Sequence, residues 1–496
     1  MAKELLEKPY YSADQTTEGA VGFDDVLNCY FEPIAGGKLT LRRRPVLDSV
    51  FCTLSGTSSF GVAGIYWWER ANVFLAVYGT NLFVVSQAGV VTDQGVWFSG
   101  NVSRAVFSEG ETAGGVTWVY IVGGAGYPTR ITHTTSGGFS IFSVATVTPG
   151  GGQLFDALTI AYINRRFVAP QPNSARFYFT DTNPSTGILE NDYWDSSDNP
   201  LVAESDGDRI IAITTHLNEI YVWGTKSVEI WQDDGVTPFV PVQGASINFG
   251  IQNREAITII GDRVFAAGVL NGVFCVAELT GRQARVISDD IKTLIGTPFT
   301  VPYLLSLQIG KQTFLLVQFG YGSATIETWA FDINTGYWSK WTDFNDPTHS
   351  PFIGKSSAIN SVAGISLVGA NTDGRIFRVR FGPTYHRELG HSLEVLRRTP
   401  WIQHGTWKRK RCNAVYLRLK RGHTADGRVF LRWADDGRDT WSPSYQLNLF
   451  PTSNKDFISR NRRMGIYHSR RYEFTMSDNA DFVLSGSEED VTVLRD

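Results

Sequence analysis

Any chemistry in this 496-residue chain has to come from a few short stretches. Asp435-Asp436-Gly437-Arg438-Asp439-Thr440-Trp441 gathers carboxylates of the kind that acid and base catalysis on a glycosidic bond requires. Which two would pair depends on separation in space, so no catalytic pair is assigned. Asp and Gly also close tight turns, and Trp441 packed beneath such a turn needs no substrate. His386, Glu388 and His391 offer imidazole and carboxylate donors for a metal ion. Their spacing is not His-Glu-x-x-His and the other histidines are isolated, so the segment reads as a solvated linker. Gly224-Thr225-Lys226-Ser227 has the closing letters of a phosphate-binding loop. Such a loop needs Gly directly before Lys and a helix behind it, whereas a strand follows here at once. It reads as a hairpin turn, as do Gly123, Gly124 and Gly126. No Gly-x-Ser-x-Gly elbow occurs. No catalytic residue, cofactor or metal ion is expected.

Charge is the stronger signal. Lys408, Arg409, Lys410 and Arg411 follow Trp407 without interruption, and four adjacent cations cannot all face a core. Arg418, Lys420 and Arg421 come next, then Arg460, Arg462, Arg463, Arg470 and Arg471. From Arg397 to Asp496 there are 19 Lys and Arg against 12 Asp and Glu, a local +7. The whole chain carries −4, which leaves −11 before Arg397. A solvated face, an interface with an acidic protein and contact with phosphates are all open readings of the run. Lys408, Arg409, Lys410 and Arg411 are the candidate protein-docking residues, because cations of this kind pair with carboxylates.

The elements that must position these residues are strands. Aromatic residues reach 13% and Gly stands at 49 against 3 Met, a balance that suits pleated strands and tight turns. A two-stranded unit recurs, its first copy being Val73-Phe74-Leu75-Ala76-Val77-Tyr78, a turn at Gly79-Thr80-Asn81, then Leu82-Phe83-Val84-Val85. Copies start at residues 73, 117, 166, 219, 263, 312 and 364. Periods of about 40–50 residues are the mark of propeller blades, whose faces are buried only by stacking in a ring. The expected fold is all-β: a β-propeller of six or seven blades over 51–382, preceded by an N-terminal arm or docking segment at 1–50. A connector spans 383–400, and a basic, antiparallel β-sandwich-like module spans 401–496. Cys29, Cys52, Cys275 and Cys412 lie far apart with no Cys-x-x-Cys pair, which fits folding in a reducing cytosol. Met1 to Pro9 has no apolar core of a secretory signal, and no run of about 18 apolar residues occurs, so no membrane insertion is expected.

Several of these stretches resemble a known family when taken in order. Asn28-Cys29-Tyr30-Phe31-Glu32-Pro33, then Gly36-Gly37 and Leu41-Arg42-Arg43-Arg44-Pro45, resembles its opening. Val222-Trp223-Gly224-Thr225-Lys226-Ser227-Val228-Glu229-Ile230-Trp231, with Gly235 beyond, fits the same pattern. So do Trp433 to Ser442 and the stretch from Arg462 to Phe474. Order and spacing carry the likeness, which runs from about Asn28 to Leu484. The chain resembles the tail hub, or nozzle, of short-tailed bacteriophages, also called the packaged-DNA stabilisation protein. The resemblance implies a non-enzymatic β-propeller that forms a sixfold homo-oligomeric ring below the head-to-tail adaptor protein. That ring continues the DNA channel without reading sequence, retains the packaged genome and carries spike or fibre proteins. It implies a place in the virion tail after assembly in the host bacterial cytoplasm. The alternative is a glycan-binding or glycan-hydrolysing propeller, since the Asp435–Trp441 turn is similar to the Asp-box hairpin of sialidase-like propellers. Its Asp-to-Trp span is one residue too long, and it stands as a single copy after the ring.

Overall fold

The computed structural model describes residues 2–4, 26–33, 39–111, 117–123, 126–136, 139–146, 156–183, 188–194, 200–203, 207–234, 239–291, 302–321, 324–343, 350–382, 384–385, 387–420, 427–438, 440–449, 456–478, 480 and 482–494. Among these residues the helical pieces are two single 3-10 turns, Arg254–Ala256 and Asp289–Ile291. Everything else that is regular is strand.

Each repeated hairpin is the middle pair of a larger blade. In the first blade Val73–Tyr78 and Asn81–Ser86 are flanked by Val62–Trp68 and Val91–Val96. Six more blades of the same build follow at 106–146, 161–202, 210–241, 249–286, 303–341 and 354–380. The middle strands read as unbroken apolar runs because both of their faces pack against neighbouring blades. Five of the six residues of Val73–Tyr78 are buried, whereas none of Val91–Val96 is. Turn chemistry agrees: Asn271 and Gly272 both hold positive φ, at 50° and 82°, as a two-residue hairpin loop demands.

Among the described residues the blades number seven, and the joints between them show that the ring closes. Tyr66 stacks on Phe107 across the first joint with ring centroids 5.5 Å apart. Tyr120 meets Phe167 across the second at 4.6 Å, and Phe177 meets Trp231 across the third at 5.1 Å. Trp223 and Phe249 share one core at the fourth joint, and Phe274 and Phe319 meet at 6.4 Å at the fifth. Trp341 packs on Phe352 at the sixth, and Phe51 on Phe74 at the joint of seventh with first. Aromatic pairs of this kind add about 0.5–1.5 kcal/mol beyond their area burial at the six joints that carry one.

The outer strand of the seventh blade comes from the other end of the chain. Val46–Thr53 pairs antiparallel with Arg375–Arg380, from Val46 opposite Arg380 to Thr53 opposite Arg375. It is the fourth strand of that blade and covers the edge that Arg375–Arg380 would otherwise present. The ring therefore takes in residues from Val46, and the described part of the segment expected as an arm is sheet. Val26–Leu27 lies between Trp338–Trp341 of the sixth blade and Val395–Arg398. This joins the sixth blade to Arg470–Met476, Gly427–Asp435 and Tyr445–Leu449 in one nine-stranded sheet. Val395–Arg398, expected inside a connector, is an inner strand of it. A second sheet is built on Val483–Val493 and Lys410–Lys420, and it includes Cys29–Pro33 and Leu39–Arg43. Phe31, Leu41, Val415 and Leu484 of that sheet share one core with Leu431, Tyr472 and Phe474 of the nine-stranded sheet and with Phe265, Leu315 and Trp329 of the fifth and sixth blades. The sandwich and the propeller are fused.

All four cysteines are free and buried in these cores. Burial pushes the thiols of Cys29, Cys52 and Cys412 up to about 12 and that of Cys275 up to about 11. A thiol that stays protonated and covered is a poor nucleophile. Native protein treated with an alkylating reagent at neutral pH should therefore remain unmodified by mass, and all four thiols should react once it is unfolded. Rapid native labelling of any one of them would contradict the burial described.

Candidate docking surface and the closed axis

Lys410 opens the strand Lys410–Lys420 and, with Cys412, points inward. It is fully buried, with Nζ donating to the carbonyls of Thr406 at 2.7 Å, Lys408 at 2.8 Å and His468 at 2.6 Å. Burial lowers its pKa, with Asp436 and Glu489 pulling the other way. One cation of the run does face the interior, because three backbone acceptors replace its water. Lys410 is therefore withdrawn from the docking residues. Lys408, Arg409 and Arg411 are exposed, beside Trp407 at 66% exposure. Arg411 lies opposite Ile466, itself 42% exposed, in the sheet. The surface is thus three cations with an exposed indole and an aliphatic neighbour. An exposed aromatic beside arginines offers a partner both apolar and charged contact.

The other stretches with chemical side chains are committed to structure. Asp435 accepts two bonds from the buried Arg470 guanidinium, at 2.6 and 2.9 Å. Asp436 accepts backbone N–H groups of His468 and Ser469 at 2.7 and 3.0 Å. Asp439 lies outside the described residues. Trp441 pairs with Ala434 in an isolated bridge that closes the turn. The guanidinium carbons of Arg471, Arg432 and Arg398 stand 4.8, 4.9 and 5.2 Å from its ring centroid. Glu473 binds Arg398 at 2.6 Å and also pairs with Arg432. Nothing in the sequence run pointed to this cluster, whose arginines come from three different strands. In the turn at Gly224-Thr225-Lys226-Ser227, Asp208 accepts the Lys226 N–H at 2.6 Å and the strand resumes at Val228.

Glu388 corrects the expected solvated linker. His386 lies outside the described residues and His391 is exposed, but Glu388 is fully buried against Arg44. The pair is bidentate, at 2.6 and 2.9 Å, and both side chains are 0% exposed. Arg44 also donates to Asn28 Oδ1 at 3.0 Å and to the Thr342 carbonyl at 2.8 Å. Asn28 in turn donates to Thr342 Oγ1 at 2.8 Å and to the Glu394 carbonyl at 2.9 Å. One buried network thus pins the N-terminal strands, the sixth blade and the segment after the ring. Both oxygens of Glu388 are engaged, so it is unsuited to a metal. Among the described residues no group of three His, Cys, Asp or Glu could hold one.

The axis of the ring is bridged by side chains from opposite blades. Arg104, just before the second blade, donates to the Glu255 carbonyl at 2.9 Å at the start of the fifth. Arg254 reaches back, donating to the carbonyls of Gly123 and Leu158, both at 2.8 Å. Cavities of about 400 and 120 Å3 flank this bridge. The propeller of one chain is therefore not a pore for a DNA duplex. Sequence reading missed these residues because each stands alone at the start of a different blade.

The phage-stabilisation family described as bacteriophage P22 Gp10, β-propeller, matches residues 28–342. None of the curated proteins matches the sequence. Among solved structures, the chain is similar to the N-terminal domain of Nup159, at 10% identity over 73% of this chain and 97% of that one, with a TM-score of 0.36. An auxiliary nutrient binding protein from Bacteroides thetaiotaomicron VPI-5482 is similar at 9% identity over 69% and 83%, with a TM-score of 0.38. Neither likeness bears on function. No described helix is long and apolar enough to cross a membrane. The family match begins at Asn28 of the buried lock and runs through six blades to Thr342, which the same lock binds, and on it the chain belongs to the bacteriophage P22 Gp10 β-propeller family.

Proposed function

We propose that the chain is the tail hub of a short-tailed phage, a homo-oligomeric ring below the head-to-tail adaptor. Family membership makes it a phage structural protein, and that match over residues 28–342 is the observation that carries the reading. The bridged axis supports a conduit enclosed between copies rather than within one. A ring of identical subunits of this size, six in the resemblance, would continue the DNA channel, retain the genome and hold spikes or fibres. The basic C-terminal region on an acidic body supplies complementary charge for such contacts, with Lys408, Arg409 and Arg411 on the docking face. DNA sliding through a conduit needs weak, non-specific contact, so this face is assigned to protein rather than phosphate.

The test is retention of DNA. Particles assembled without this chain should release their genome to added nuclease, and purified chain added back should protect it. Negative-stain images of the restored particles should show a ring at the adaptor. Full protection without the chain would overturn the reading.

A further inference from the structure

The smaller axial cavity holds an unusual charge balance. Arg104 and Lys355 line it, while Arg254 and one carboxylate, Glu255, line the larger cavity and act on the Lys355 charge from there. That carboxylate is engaged by Arg254 at 3.3 Å and by the Ser103 hydroxyl at 3.4 Å. Arg104 is left with backbone carbonyls, those of Glu255, Leu304 and Ile257. Lys355 donates to the Phe60 carbonyl at 2.6 Å. Both cations also lie against one ring, Tyr303, at 4.9 and 5.8 Å from its centroid. Among the described residues neither Arg104 nor Lys355 forms an ion pair. Desolvation brings the Lys355 ammonium down to about 8, the neighbouring arginines adding to the shift against Glu255.

Two partly covered cations that share one cavity without a carboxylate in it gain from an anionic partner. The cavity between Arg104, Tyr303 and Lys355 measures about 120 Å3, room for several waters, which take about 30 Å3 each in the liquid. We infer that it is a binding site for a small oxyanion of the phosphate class, held between the Arg104 guanidinium and the Lys355 ammonium. A tetrahedral oxyanion offers acceptors to a planar fork and a point donor at once, which a halide does not. Such a site requires neither the tail assembly nor the docking face. An anion there ties Arg104, just before the second blade, to Lys355 of the seventh.

Inorganic phosphate is the probe. Melting of the full chain should rise saturably with sodium phosphate, by about 1–2 °C at tenfold half-saturation, beyond sodium chloride of matched ionic strength. Lys355→Met should weaken phosphate binding roughly tenfold or more in calorimetry, since it removes a charged donor. In the wild type, phosphate should slow acylation of Lys355 by an amine-directed reagent, a readout that needs no variant to fold. A melting shift that tracks ionic strength alike in both salts would sink the proposal. So would phosphate binding that survives Lys355→Met, or acylation of Lys355 unaffected by phosphate.

Discussion

Arg44→Ala should cost about 3–5 kcal/mol of unfolding free energy, the largest effect expected from any single side chain of the lock. The reason is what it leaves behind. Glu388 is 0% exposed and both its oxygens face the Arg44 fork. Burial already pushes this carboxyl up, and Arg44 is the chief influence holding it down. Removing Arg44 strands the charge and the Thr342 carbonyl, and leaves Asn28 Oδ1 with the Thr342 N–H alone. The deficit should depend on pH. With its pKa raised further, Glu388 takes a proton more readily folded than unfolded, where carboxylates titrate near 4.3. Stability of the variant relative to wild type should then fall as pH rises through the raised value, and recover in acid. Guanidinium unfolding at pH 5 and pH 8 reads this directly. Arg44→Leu combined with Glu388→Leu should lose less than Arg44→Ala alone, because no charge remains buried. A pH-independent deficit, or a double variant worse than the single, would show that Glu388 is not the source.

The ring was legible where both faces of a strand are covered. Val73–Tyr78, Glu219–Gly224 and Ile365–Ala370 announce themselves as apolar runs because neighbouring blades leave no side wet. Gln283–Val286, an outer strand with no buried residue, gives no such signal. The closing strand Val46–Thr53 has an irregular burial pattern and a partner at the far end of the ring, so local pattern could not place it. The same distance in sequence hid the lock. Arg42, Arg43 and Arg44 look alike on paper. Arg42 pairs with Glu32 at 2.7 Å while partly exposed, Arg43 reaches the Asp478 carbonyl, and Arg44 meets Glu388 from 344 positions away. Adjacent residues on a strand face opposite sides, and only the third dimension says which side holds an acid. The basic run divided in the same way, with Lys410 turned inward between exposed neighbours.

On the proposed docking role, that division lets assembly and stability be tested separately within one stretch of chain. Reversing the exposed cations (Lys408→Glu with Arg409→Glu and Arg411→Glu) should leave the melting temperature of the isolated chain nearly unchanged, since exposed charges contribute little to folding. Lys410→Met should act in the opposite sense. It strips three carbonyls of a charged donor in the interior and should cost roughly 3 kcal/mol. Because two of those carbonyls belong to Thr406 and Lys408, the loop that presents Trp407 loosens with it. Reconstitution onto particles lacking the chain then discriminates. The triple reversal should fail to dock although it is folded, and docking of the wild type should weaken as salt rises towards 0.5 M, where the screening length is only about 4 Å. Trp407→Ala should weaken docking at every salt concentration, because the indole contributes apolar contact that ions do not screen. If the triple reversal docks as well as wild type at low salt, the cations at 408, 409 and 411 serve only to solvate that face, and the acidic partner must be sought at the arginines around Trp441.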